Sequence, residues 1–135
     1  MKLKKTKLEP WQRAAKKSYI IRYSDGNLTF DDYFTLSQMN CHYCNSPPSN
    51  KLKGEIYGKI VLNQEEENNR YFIYNGLDRI NPLKNHNKEN VITCCFKCNR
   101  AKSNYSYYEF INWISRIRQH LFVNNNILKL KELSK

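Results

Sequence analysis

Two cysteine pairs of the form C-x2-C, Cys41-His42-Tyr43-Cys44 and Cys95-Phe96-Lys97-Cys98, constrain this chain more than any other feature. A two-residue gap lets both thiolates converge on one ion, so two such pairs suit a tetrahedral zinc site. The 50 residues 45–94 separate the pairs, more than in a compact zinc ribbon, so a shared ion would clip two distant segments together. The other reading is two unrelated pairs, buried or redox-active. A secreted disulfide scaffold fits poorly: five cysteines leave one over, and the opening MKLKK leads into more charge rather than an apolar signal core. The expectation is a cytoplasmic protein, not a secreted one. Cys94 has C-x3-C spacing to Cys98, but Cys95–Cys98 has the usual geometry, so Cys94 is assigned to the core.

A chain of 135 residues, 40% hydrophobic, fits one domain. No apolar run is long enough for a membrane span, so no membrane partner is expected. Lys plus Arg number 23 against 12 acids, a net charge of +11, which points to a polyanion, most often nucleic acid. Eight basic residues (Lys2, Lys4, Lys5, Lys7, Arg13, Lys16, Lys17 and Arg22) fall within 1–22 against Glu9 alone. They read either as a solvated terminus or as an arm for backbone phosphates. The rest of the chain has to arbitrate.

Local signals place the elements. Glu9-Pro10-Trp11 starts a helix expected to reach about Tyr19, with Arg13, Lys16 and Lys17 exposed. Ser24-Asp25-Gly26-Asn27 is a turn. Thr29 and Asp32 form the N-terminus of a helix whose apolar face is Phe30, Tyr33, Phe34 and Leu36. Residues 45–69 read as a loop or insertion. Tyr71–Tyr74 and Leu77–Ile80 are strand candidates, with Val91–Thr93 the partner strand. A short helix is expected over Asn99–Ser103. Ser106 and Glu109 make a capping box for a last helix to about Phe122, whose stripe Phe110, Ile111, Ile114, Ile117 and Leu121 is assigned to the core, with Trp113 partly so.

The stretch YNGLDRINPLKNHNKENVITCCFKCNRAKSNYSYYEFINW, residues 74–113, resembles the His-Asn-His (HNH) endonuclease superfamily in its zinc-clipped, phage-associated branch. The features that agree are the Asn-Gly-Leu-Asp-Arg-Ile strand, an Asn before a short apolar strand, C-x2-C-N-x2-K, and the capped helix. A looser likeness reaches back through LTFDDYFTLSQMNCHYC to Leu28. The resemblance implies an α+β fold, a small ββα-metal (His-Me finger) domain with a structural four-cysteine zinc site and flanking helices. Its expected limits are 28–122, with the ββα core at about 71–104, a basic DNA-binding helix and arm at 1–27, and a tail at 123–135. It implies a metal-dependent DNA endonuclease of homing or restriction type, in a bacterial or phage-infected cell, using Mg²⁺ or Mn²⁺. By position, Asp78 and Asn99 would bind that ion and Asn90 would hold the connecting loop in shape. Cys41, Cys44, Cys95 and Cys98 would bind structural zinc, and Arg100 and Lys102 would meet phosphates. One site per chain means that a monomer nicks, whereas a double cut needs a homodimer or two encounters.

One position departs from the pattern. The superfamily's general base is usually a His directly after the position of Asp78, and here it is Arg79. An arginine, with a pKa above about 12, does not take a proton from water at neutral pH, but it can clamp a phosphate. His86 is the only nearby imidazole, read either as the group that activates water or as an exposed loop histidine. The alternative function is a zinc-stabilised nucleic-acid-binding protein whose catalysis has decayed, with Arg79 as the sign of decay.

Overall fold

A computed structural model describes residues 8–58 and 61–123. The basic residues Lys2, Lys4, Lys5 and Lys7 and the tail beyond Val123 lie outside the described residues. The elements run α1 (Pro10–Arg22), α2 (Phe30–Ser37), β1 (Asn50–Lys53), α3 (Gln64–Asn68), β2 (Tyr71–Tyr74), β3 (Gly76–Arg79), β4 (Val91–Cys94), α4 (Phe96–Lys102) and α5 (Tyr107–Arg118). The architecture is α+β, built on two small antiparallel sheets, β1–β2 and β3–β4. No described helix is long and apolar enough to cross a membrane.

The first two helices follow from their caps. Pro10 opens α1, and the Gln12 side chain accepts the Glu9 N–H at 2.8 Å. The helix runs about one turn past the expected Tyr19, because nothing breaks it before Ser24-Asp25-Gly26. At α2 the Thr29 hydroxyl accepts the Asp32 N–H at 3.1 Å and the Asp32 carboxylate accepts the Thr29 N–H at 3.3 Å, closing the expected box. Tyr33, fully buried, is the centre of an aromatic core: it stacks on Tyr23 at 4.9 Å and meets Phe72 of β2 at 6.3 Å. Ala14, Ala15, Leu28, Leu77 and Val91 complete that core.

Residues 45–69 are not a single loop. They contain β1 and α3, and β1 pairs with β2 in the register Asn50↔Tyr74 to Lys53↔Tyr71. Asn50-Lys51-Leu52-Lys53 has one apolar residue, so its pairing comes from the partner strand rather than from its own pattern. α3 begins on an Asn63–Glu66 capping box inside the acidic run. At the other end, α5 starts at the expected Ser106–Glu109 box, with Glu109 accepting the Ser106 N–H at 2.7 Å. The core assignment of its stripe is corrected. Phe110 is buried, but Ile111, Ile114, Ile117 and Trp113 are exposed and Leu121 is only half-buried. Helical spacing puts these residues on one face; the described residues leave that face open.

β3 and β4 carry the candidate site. They pair as Gly76↔Cys94, Leu77↔Thr93, Asp78↔Ile92 and Arg79↔Val91, and α4 follows β4 directly after Cys95. Successive side chains on a strand face opposite ways. Leu77 therefore joins the aromatic core, while Asp78 turns toward α4. Asn75, between β2 and β3, is fully buried and ties the strands to the first cysteine segment through Nδ2, which donates to Met39 O at 3.0 Å and Ser46 O at 3.3 Å.

Candidate functional site

The four paired cysteines come together, and Cys94 does not join them. The sulfurs of Cys41, Cys44, Cys95 and Cys98 all lie within 4.8 Å of one another, and Cys44 and Cys95 are 3.7 Å apart. Four thiolates around zinc at about 2.3 Å put neighbouring sulfurs about 3.8 Å apart, so the set can hold a metal ion such as zinc. Local backbone chemistry shapes each half. Asn45, with φ of 60°, closes the first turn, where its N–H donates to Cys41 O at 2.9 Å. Cys95 caps α4, and its sulfur accepts the Cys98 N–H at 3.4 Å. Hydrogen bonds from Ser46 hold the Cys44 thiol down to about 6, which favours the thiolate a metal needs. Burial works to raise Cys95, yet the Cys98 N–H and neighbouring hydrogen bonds bring it below its usual value. Cys94 is buried as expected, and burial together with the charge of Asp78 pushes its thiol up.

Beside this cluster lies a polar cleft of about 250 Å³, lined by Asp78, Arg79, His86, Asn99, Lys102 and Asn104 among others. Asp78 and Arg79 end β3, His86 belongs to the β3–β4 connection, and the rest come from α4 and the residues after it. The helix begins at Phe96, three residues before the expected Asn99, because the Cys95 cap nucleates it. Asn99 is exposed on the cleft wall. Asn90 is buried under the connection and holds its shape. Its Nδ2 donates to Asn81 O at 3.1 Å and Asn85 O at 3.0 Å, while its Oδ1 accepts the Asn81 N–H at 2.9 Å.

Asp78 is 6% exposed and bonded on both oxygens. Tyr43, from within the first cysteine pair, donates to Oδ2 at 2.8 Å, and the Lys102 ammonium meets Oδ1 at 3.1 Å. Lys102 also donates to Arg79 O at 2.9 Å. Lys102, expected to meet phosphates, is fully buried and spends its ammonium on Asp78 and Arg79 O. Cys98 and Lys102 are four apart on α4, hence on one face, and Cys98 points inward. Burial, with the hydrogen bond and charge of Asp78, pushes the Tyr43 hydroxyl well up, so it remains a donor.

The other basic residues divide. Arg100 is exposed and lies over the Phe96 ring at 5.5 Å, outside the cleft lining. Arg13 is half-buried, its guanidinium donating to Leu8 O and Glu55 O, so it is not the free surface cation expected. Lys16 and Lys17 are exposed on α1, with Lys17 3.7 Å from Glu55. Two residues not singled out from sequence enter the site. Tyr43 had its place between two ligands as a signal. Asp25, whose Oδ1 sits 2.7 Å from His86 Nδ1, had none, being 61 residues away in a plain turn. No protein-family model, curated protein or solved structure matches the chain.

Proposed function

We propose that β3, β4 and α4 form the ββα-metal core of a metal-dependent, HNH-type DNA endonuclease that hydrolyses phosphodiester bonds. One observation supports this above the rest. Asp78, Arg79 and Asn99, from two separate elements, line one polar cleft whose connecting loop Asn90 braces. Asp78 and Asn99 would hold the divalent ion. A carboxylate offers about four lone-pair sites, and Tyr43 and Lys102 occupy one on each oxygen, so donors of the hard type that Mg²⁺ or Mn²⁺ prefers remain available. Such an ion, held there, would polarise the phosphoryl group and offset charge on the departing 3′ oxygen.

The protein's own groups then have distinct tasks. Arg79 clamps the phosphate and stabilises charge as it develops. Lys102 and Tyr43 fix the Asp78 carboxylate, so that its free lone pairs keep one direction. The cysteine cluster, as a structural zinc site, anchors Tyr43 and the first turn of α4. Lys16, Lys17 and Arg100 supply salt-sensitive affinity for the DNA backbone.

A second reading, a zinc-stabilised nucleic-acid-binding protein without catalysis, is favoured by one fact: Lys102 already neutralises Asp78. Cleavage of supercoiled plasmid with Mg²⁺ or Mn²⁺ separates the two, provided the control variant folds. Asp78→Ala is a poor control, since it strands a buried ammonium at a cost of about 3–5 kcal/mol. Asn99→Ala is the better one, because Asn99 is exposed. Nicked or linear DNA from the zinc-loaded wild type, lost in Asn99→Ala with DNA affinity retained, is the expected result. No product from either sinks the nuclease, and equal products from both sink the role given to Asn99.

A further inference from the structure

The nuclease reading leaves the activation of water without an owner, since Arg79 stands where a base would be needed. The connection between β3 and β4 is docked on the turn between α1 and α2 by a dense set of bonds. Leu28 N–H donates to His86 O at 3.3 Å, Asn27 N–H to Asn87 Oδ1 at 2.9 Å, and Lys88 N–H to Asn27 Oδ1 at 2.8 Å. Asn85 Nδ2 reaches Asp25 O at 2.8 Å. Within this seam a single carboxylate oxygen, Asp25 Oδ1, receives the His86 backbone N–H at 3.1 Å and faces His86 Nδ1 at 2.7 Å. The imidazole is edge-on to Tyr23 at 5.2 Å, and its side chain is only 15% exposed. It also lines the cleft that holds Asp78, Arg79 and Asn99.

We propose that Asp25 is the positioning residue for His86: it accepts the Nδ1 proton, fixes the tautomer with a bare Nε2, and so makes His86 the proton acceptor for the attacking water. This rests on the nuclease reading. Two facts support the assignment. Nε2 has no hydrogen-bond partner among the described residues, and a carboxylate on the other ring nitrogen is the arrangement that orients a basic imidazole. Desolvation works to raise the Asp25 carboxyl, yet the hydrogen bonds and charge of His86 hold it below its ordinary value. The charged groups that contact the ring or share its cleft are Asp25 on the α1–α2 turn, Asp78 and Arg79 on β3, and Lys102 on α4, with the Tyr23 ring edge-on to it.

In the step itself the water oxygen bonds to phosphorus as the bond from phosphorus to the 3′ oxygen breaks. The water proton passes to His86 Nε2, the 3′ oxygen takes a proton from solvent, and His86 returns its proton to solvent. Exchanging His86→Ala should cost about 10²–10⁴-fold in kcat and remove the acidic limb of the pH–rate profile.

The test is plasmid cleavage by wild type, His86→Ala, Asp25→Ala and Asp25→Asn, with ¹⁵N NMR of the His86 ring. Asn keeps an oxygen for the backbone N–H but loses the charge and can donate to Nδ1. A merely structural Asp25 therefore predicts wild-type kcat for Asp25→Asn. The expected result is a loss of about 10-fold to 10²-fold in kcat for both Asp25 variants with KM unchanged, and an Nδ1–H tautomer in wild type that Asp25→Asn abolishes. An active wild type whose Asp25 variants cut at full rate, or an Nε2–H tautomer in wild type, overturns this assignment alone. An inactive wild type overturns the nuclease reading and this inference with it.

Discussion

Asp78 and Lys102 form a buried pair whose members cannot be changed one at a time. Lys102→Met removes the ammonium and leaves Asp78 with Tyr43 alone, so it should destabilise the fold by about 3–5 kcal/mol in denaturant melts. The double variant Asp78→Asn with Lys102→Met should recover part of that loss; a double variant no better than Lys102→Met would show that the pair is not coupled. Tyr43→Phe deletes a hydrogen bond to a charged group and should cost about 1.5–3 kcal/mol while the cysteine cluster still takes up zinc. None of this pairing is legible in the sequence alone. The spacing of Cys98 and Lys102 holds a signal, but lysine is so often exposed that spacing by itself does not argue for its place on an inward face. Asp78, Arg79 and Asn99 are singled out by the family resemblance rather than by burial, and the structure puts them on one cleft.

At the scale of elements, the features written locally are the legible ones. The boxes at Thr29 and Ser106 are closed by residues three apart, so a short stretch of sequence contains both partners. β1 escapes such a reading because its strand character depends on β2, about twenty residues on, and α4 starts earlier than expected because a cysteine stands at its cap. The seam between the α1–α2 turn and the β3–β4 connection is wholly long-range. Gly26 sits in it so tightly that a Cβ there would approach His86 O to 2.5 Å. Gly26→Ala should therefore push the two loops apart. Faster amide exchange at His86 and Lys88, with β3–β4 protection intact, is the expected signature, and unchanged exchange would show that the seam tolerates the methyl group. Acid should loosen the same seam. The carboxyls of Asp25 and Asp32 both lie below their ordinary 3.8, Asp25 through His86 against its own desolvation and Asp32 chiefly through the hydrogen bond from Lys88. A depressed carboxyl contributes stability above its unfolded value and loses it as pH falls through its folded one. Protection factors at residues 85–88, each taken against the intrinsic exchange rate at the same pH, should thus fall below about pH 4 and hold on mild alkalinisation.

The whole molecule has two centres, an aromatic core under α1 and α2 and a cysteine cluster under β4 and α4, with Asn75 between them. The first is legible as apolar patterning, the second as spacing; their relation is not, since no sequence pattern states that β3 faces both. On the proposed zinc assignment, a chelator should unfold the second centre and expose Asp78, because structural zinc contributes about 10 kcal/mol or more to small domains. A cooperative loss of circular dichroism on chelation, reversed by Zn²⁺, is expected; an unchanged melt would show that the cluster needs no ion. The Asp78 carboxylate is bound at once by Tyr43, made early, and by Lys102, made 59 residues later. While the chain is being synthesised, the cleft therefore has no existence until residue 102 has left the ribosome.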